Sequence, residues 1–263
     1  MRLSPFQLLD GRFAPVPEHA RVAWLIERLY AHRGYHGEGR LENSPSAFRA
    51  ALAAGIGIEC DVQQSAEGQA MVFHDWELDR LTGIAGLVRE QPAATLVHLR
   101  LGESEDTIWP LSKLLEVVGG EVPLLIELKS RREVPFVPLC LAVRQALLRY
   151  QGPVAVMSFD PRAVRWFARN APAVVRGLVA SEQGQSGLKG RWRRHAALWQ
   201  ARPDFLAYDV RDLPSRFAFS QQERGVPVLT WTVSDRPRLQ RGRAHAQGLI
   251  AEGVGLQLAL ATH

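Results

Sequence analysis

The sequence predicts an α/β protein of the (β/α)8 TIM-barrel class, folded as a single domain with an extended loop between its third and fourth strands. Three observations carry this. Short apolar runs alternate with amphipathic helical stretches through most of the 263 residues, as they do where parallel strands are joined by crossover helices. Eight such runs occur, at 29–34, 57–62, 70–74, 124–129, 154–159, 174–180, 205–210 and 227–233, and eight strands close a barrel of this size. No GxGxxG follows the first run, which tells against an open dinucleotide-binding sheet.

In chain order, the first 28 residues read as an N-terminal cover and 29–263 as the barrel domain. The first run, Tyr30-Ala31-His32-Arg33-Gly34, ends an apolar stretch on polar groups. Ser44-Pro45 then offers a cap and a first-turn proline for a helix running through Phe48, Leu52 and Ala53 to Gly55. The second run is Ile58-Glu59-Cys60-Asp61-Val62, and the third is Val72-Phe73-His74-Asp75. The interval 76–122 is about two strand–helix units long and carries Gly83, Gly86, Pro92 and Gly102 before a helical stretch at 111–118. It is expected to be an extended loop on the active face, where substrate-binding elements commonly sit. The fourth run is Leu125-Ile126-Glu127-Leu128-Lys129. A helix is expected over 137–150, and Asp160-Pro161 opens another through Val164, Trp166 and Phe167. The runs are bounded by Gly, Pro, Ser or Asp, as buried parallel strands are.

Bulk properties narrow the function classes. A composition of 46% hydrophobic and 22% charged residues excludes disordered and fibrous chains. The net charge of +5 and pI near 9.7 invite a nucleic-acid reading, but the cations are nearly all Arg and are scattered among acids. The densest group, Arg191, Arg193 and Arg194, has no nucleic-acid signature around it. No nucleic-acid partner is expected. Cys60 and Cys140 are far apart, which excludes a disulfide framework or a zinc site and suits a reducing compartment. Residues 1–10 lack a signal-peptide pattern, and no apolar run is long enough to span a bilayer. A cytoplasmic protein without stable membrane insertion is the expectation.

The chemistry is read from polar groups on strands that are otherwise apolar. Period-two alternation puts Glu59 and Asp61 on one strand face with Cys60 on the other, and it pairs Glu127 with Lys129. His32 and His74 each close an apolar strand. In a barrel the C-terminal strand ends form the catalytic mouth, so four strands converge on one place. Three buried carboxylates are costly unless neutralised. Arg33 and Lys129 offset part of that charge, and a divalent cation would do so more completely. All-oxygen ligands select a hard ion, Mg²⁺ or Ca²⁺. A cation flanked by Arg33 and Lys129 suits a phosphate, and two histidines can serve as base and acid for displacement at phosphorus. Taken singly, each piece has a plainer role: a structural ion pair for Glu127–Lys129, a hydrogen-bonded His74, a helix-start asparagine at Asn43. Four strand ends with complementary charges are hard to assemble from such coincidences.

The ordered set His32-Arg33-Gly34, Glu42-Asn43 before Ser44, Glu59-x-Asp61, Val72-Phe73-His74-Asp75 with Leu78 and Arg80, Glu127-x-Lys129, Ser158-Phe159-Asp160 and Thr230-Trp231-Thr232-Val233 resembles the glycerophosphodiester phosphodiesterase family. The resemblance implies a metal-dependent hydrolase that releases glycerol 3-phosphate and an alcohol from small-molecule phosphodiesters. By the same resemblance His32 and His74 are the catalytic pair, and Glu59, Asp61 and Glu127 bind one Mg²⁺ or Ca²⁺. Arg33 and Lys129 contact phosphate, Glu42 is an orienting acid, and Trp231 lines the substrate side. The family's usual Thr-x-Asp-Gly reads Ser65-Ala66-Glu67-Gly68 here, the first of its two histidines before the aspartate is Phe73, and Ser234 replaces an asparagine. Two other activities suit the same residues. One is a sphingomyelinase D-like phospholipase acting on lysolipids, whose relatives are usually secreted and disulfide-bonded. The other is a non-catalytic phosphate-ligand binding protein.

Overall fold

The computed structural model describes residues 5–26, 28–37, 39–185 and 187–262. Of the expected cover, residues 1–4 and 27 lie outside the described residues, as do 38, 186 and 263 of the expected barrel domain. The chain opens with α1 (Pro5–Phe13) and α2 (His19–Val22), followed by β1 (Arg28–Ala31) and α3 (Pro45–Ala53). Next come β2 (Gly57–Gln64), β3 (Ala70–Val72), α4 (Asp79–Thr82), α5 (Ala93–Leu96) and α6 (Leu111–Val118). After these, β4 (Leu124–Leu128), α7 (Val137–Leu147), β5 (Val154–Ser158) and α8 (Pro161–Asn170) follow in alternation. The alternation continues with β6 (Val175–Ala180), α9 (Gly187–Ala201), β7 (Phe205–Asp209) and α10 (Arg216–Glu223). It ends with β8 (Val228–Val233), α11 (Arg236–His245), β9 (Gly248–Ala251) and α12 (Gly253–Leu260).

The helix starts follow local chemistry. Ser44, Asp160, Ser215 and Asp235 each accept a backbone N–H from the first turn of α3, α8, α10 and α11, and three of those helices have proline in that turn.

The chain divides into two units: Tyr30–Val154, and Met1–Leu29 with Ala155–His263. In the first, β2 pairs in parallel with β1, Tyr30 opposite Gly57, and with β4, Ile58 to Val62 opposite Leu124 to Leu128. In the second, β5, β6, β7, β8 and β9 form a parallel ladder in that order. Among the described residues there are thus eight parallel strands, three in one unit and five in the other, and helix follows each of them, after β3 in the case of β2. That is the (β/α)8 class.

Two of the expected strands need correction. The third run is not one of the eight parallel strands, because β3 pairs antiparallel with the end of β2, Val62 opposite Val72 and Gln64 opposite Ala70. Only residues 65–69 separate them, and a parallel crossover needs roughly a dozen residues. The eighth parallel strand is instead β9, a four-residue run that the sequence reading passed over. The interval 76–122 also holds more regular structure than a loop: α4, α5 and α6 lie in it, the last at the expected residues. Met71, Phe73, Leu78, Leu81, Val88, Leu96 and Ile108 bury a small core of their own there. In the other unit, Leu178, Leu198, Leu206, Tyr208, Phe217 and Val228 form a second core.

Candidate active site

Within the unit Tyr30–Val154 the turn after β1 is built from left-handed residues. Arg33 has φ 55° and Asn43 φ 53°, with Gly34 at φ 80° between them in sequence. A Cβ on Gly34 would lie 3.0 Å from Ala47 and Phe48 of α3, so both the conformation and the space require glycine. The Gly34 N–H donates to the Glu59 carbonyl at 3.2 Å, and the Asn43 N–H donates to the Arg33 carbonyl at 2.8 Å. This path aims the Arg33 backbone N–H at the Glu59 carboxylate, 2.9 Å away. His32 Nε2 lies 3.9 Å from the same carboxylate.

Glu59 and Asp61 sit on one face of β2, and the β2–β4 register sets Asp61 directly opposite Glu127. The three carboxylates are buried, and an oxygen of each lies within 4.8 Å of the others. The cations are interleaved. Lys129 Nζ is 3.1 Å from Glu127 and 3.5 Å from Asp61, and Arg33 Nε is 3.3 Å from Asp61. Arg33 also donates through Nη1 to Glu42 at 2.7 Å.

The charges divide unevenly. Burial, followed by the nearness of Asp61 and Glu127, pushes the Glu59 carboxyl well above the carboxylate range. Burial likewise pushes Glu127 up to about 7, against the pull of Lys129. Burial would also raise Asp61, but Lys129 and Arg33 outweigh it and hold that carboxyl below its ordinary value. Two acids pushed upward by burial and by a neighbouring carboxylate are short of positive charge, and three hard oxygen donors are what Mg²⁺ or Ca²⁺ takes. The donor set therefore fits a divalent cation. A second group, Glu42, His74 and Asp75, also has metal-ligand spacing, but Arg80 already donates to both of its acids.

His74 follows β3, and its Nδ1 lies 2.7 Å from Asp75 Oδ1. Burial holds its imidazole below the usual range; Asp61 opposes this and Lys129 and Arg33 add to it. Arg80 hydrogen bonds pull Asp75 down to about 2 despite partial burial. Gln63 of β2 fixes the same segment by donating its amide to the carbonyls of Phe73, His74 and Asp75.

Eight of the nine sequence-derived site residues thus gather in one unit: His32, Arg33, Glu42, Glu59, Asp61, His74, Glu127 and Lys129. Trp231 belongs to the other unit, on β8, where its indole N–H donates to the Ala207 carbonyl at 3.0 Å and Phe159 packs edge-on at 5.4 Å. Three supporting residues stand in the ordered motif set, but sequence reasoning assigned them no role in the site. Asn43 does not cap α3, which Ser44 does; it exchanges two hydrogen bonds with Asp61, at 3.0 and 3.2 Å. Asp75 and Arg80 brace His74 and Glu42. Asp75 had a signal, an acid directly after a histidine at a strand end, whereas Arg80 had none in spacing alone.

The sequence profile of the glycerophosphoryl diester phosphodiesterase family matches residues 32–254. The chain is 27% identical over 239 residues to the glycerophosphodiester phosphodiesterase of Caldanaerobacter subterraneus subsp. tengcongensis, covering 85% of this chain and 93% of that protein. The solved glycerophosphodiester phosphodiesterase of Thermotoga maritima is similar with a TM-score of 0.72 at 23% identity, over 89% of this chain and 97% of that one. An Oleispira antarctica phosphodiesterase, solved in complex with the product sn-glycerol-3-phosphate, gives 0.77 at 22% identity over 90% and 98%. These structural likenesses concern the fold.

Proposed function

Since the chain belongs to the glycerophosphoryl diester phosphodiesterase family, we propose that it hydrolyses glycerophosphodiesters to glycerol 3-phosphate and an alcohol, using His32 and His74 as the acid–base pair. Glu59, Asp61 and Glu127 hold one divalent ion, Mg²⁺ or Ca²⁺. The observation that carries this reading is the convergence of three buried carboxylates from β2 and β4 with two cations and two histidines. When bound, such an ion supplies Lewis-acid polarisation of the phosphoryl oxygens and neutralises charge that builds up in displacement.

The chain's own residues supply the rest. Arg33 and Lys129 present a guanidinium and an ammonium beside the carboxylates and draw in an anionic phosphodiester. Glu42 and Asp61 hold the Arg33 guanidinium in place. His74 is bound at Nδ1 by Asp75, which leaves Nε2 as the nitrogen that exchanges a proton with substrate. Burial keeps the neutral form of His74 prevalent at neutral pH. The two histidines move one proton from the attacking hydroxyl or water and one to the departing alkoxide. Free, buried Cys60 and Cys140 suit the reducing interior of a cell as the place of action.

A panel of glycerophosphodiesters and lysophospholipids tests the substrate class, with the product identified as glycerol 3-phosphate or cyclic phosphate. Glycerol 3-phosphate from the deacylated substrates supports the proposal. Cyclic phosphate from lysolipids alone would replace it with the phospholipase reading.

A further inference from the structure

The group Arg191, Arg193 and Arg194 has no part in the site above, and the helix that carries it has an unusual outer face. Over its 15 residues α9 holds Lys189, Arg191, Arg193 and Arg194 and no acid. Leu188 and Trp192 are four residues apart, as are Lys189 and Arg193, so the four share one helix side. All are exposed, Leu188 by 78% and Trp192 by 53%. The opposite side, with Gly190, His195, Leu198 and Ala201, is buried. α1 lies against α9 and carries exposed residues of the same kinds, Leu8 (61% exposed), Arg12 and Phe13. The contact is well defined: Phe6 meets the Trp192 ring edge-on at 5.3 Å, and Arg191 lies over Phe6 at 4.4 Å.

Beside this face is a cavity of about 660 Å³, lined by Phe6, Leu188, Arg191, Arg194, Arg216 and Phe217 among others. Two acids line it as well, Asp212 and Glu182, and Glu182 pairs with Arg194 Nη2 at 3.2 Å while accepting the Tyr208 and Ser215 hydroxyls at 2.6 Å. Arg194 is held within the protein by Glu182 and by the Gln185 carbonyl at 3.0 Å, so the cations the cavity offers a ligand are the exposed Arg191 and Arg216. Guanidinium groups around a notch next to exposed Leu and Trp are the chemistry that holds a phosphate headgroup while apolar side chains enter the acyl boundary.

We infer that the α1–α9 face docks the protein on an anionic bilayer surface. The chemistry favours a lipid surface over a nucleic acid because aliphatic and aromatic side chains alternate with the cations along one helix side. A comparison within the same unit separates charge from this combination. α11 also carries four arginines, Arg236, Arg238, Arg241 and Arg243, yet its exposed positions include no large apolar residue and its one leucine, Leu239, is buried. That face is merely solvated. Among the described residues no helix is long and apolar enough to cross a membrane, so the association is peripheral. This inference does not rest on the proposed reaction.

The test is co-sedimentation of the full chain with phosphatidylcholine vesicles, with and without phosphatidylglycerol, at low and physiological salt. Binding is expected only with phosphatidylglycerol present and weaker at the higher salt. K189E/R193E and L188A/W192A are each expected to reduce the bound fraction about tenfold or more, and R236E/R241E on α11 much less. Turnover of a soluble glycerophosphodiester serves as the folding control and should be unchanged in all three. The inference is overturned if anionic vesicles bind no protein. It is also overturned if the α11 reversal weakens binding as much as the α9 reversal, which would mean net charge alone. A vesicle-independent dimer or DNA complex lost on W192A, with no vesicle binding, would assign the face to those partners instead.

Discussion

At the scale of single residues the site is a chain of charge pairs in which each group is held by the next. Asp75 orients His74, Arg80 clamps Asp75 and Glu42, and Glu42 holds Arg33, which reaches Asp61. Replacing His32 or His74 by Ala should lower kcat about 10²- to 10⁴-fold with an unchanged circular dichroism spectrum; near-normal turnover in either variant would remove it from the mechanism. Asp75→Asn should lower kcat about 10- to 100-fold with little change in KM, because substrate binding survives while the ring loses its anionic brace. The acids also give a pH signature. In the metal-free protein Glu127 keeps its proton up to about 7, whereas an unfolded chain releases it near 4.3. The native state therefore binds more protons between those values, so stability falls as pH rises from about 5 to about 8. A bound divalent cation holds the ionised form and removes the slope. Urea unfolding across that range, with EDTA and with Mg²⁺, measures it; equal slopes in both would contradict placing the ion at these acids.

At the scale of elements, each functional group depends on how a strand ends. Gly34→Ala imposes a side chain at φ 80° against α3, and a loss of about 1–3 kcal/mol in stability is expected, with lowered activity because Arg33 and Asn43 shift together. Another element is pinned by one buried acid. Asp10 of α1 accepts from His195, Trp199 and Gln221 at 2.7–2.8 Å and is fully buried. Asp10→Ala should cost about 3 kcal/mol or more by stranding those donors, and it should expose α1 to limited proteolysis before the rest of the unit. Resistance of α1 to the protease in that variant would show that its apolar contacts suffice. The sequence made most elements legible because buried strands are continuous apolar runs and capped helices announce their starts. It misled at β3 and β9 for identifiable reasons. β3 has the composition of a core strand, and only the short turn before it reveals its antiparallel sense. β9 is four residues long, Gly248-Leu249-Ile250-Ala251, too short for periodicity to speak.

At the scale of the whole molecule, the carboxylates, cations and histidines were readable because burying such groups demands partners, and alternation on a strand fixes which of them share a face. Their supports were less so. Asn43 and Arg80 act through contacts 18 and 38 residues distant in sequence, which no local pattern encodes. Trp231 was singled out by resemblance, and its β8 environment is that of a packed aromatic. The central claim is that the protein cleaves glycerophosphodiesters with a cation at Glu59, Asp61 and Glu127. It is tested most directly by assaying glycerol 3-phosphate release from protein stripped with EDTA and resupplied with one metal at a time. The expected result is no turnover when stripped, recovery with Mg²⁺ or Ca²⁺, and no recovery in Glu59→Gln or Asp61→Asn at the same metal concentration. Undiminished turnover in the stripped protein, or full recovery in those variants, would contradict it.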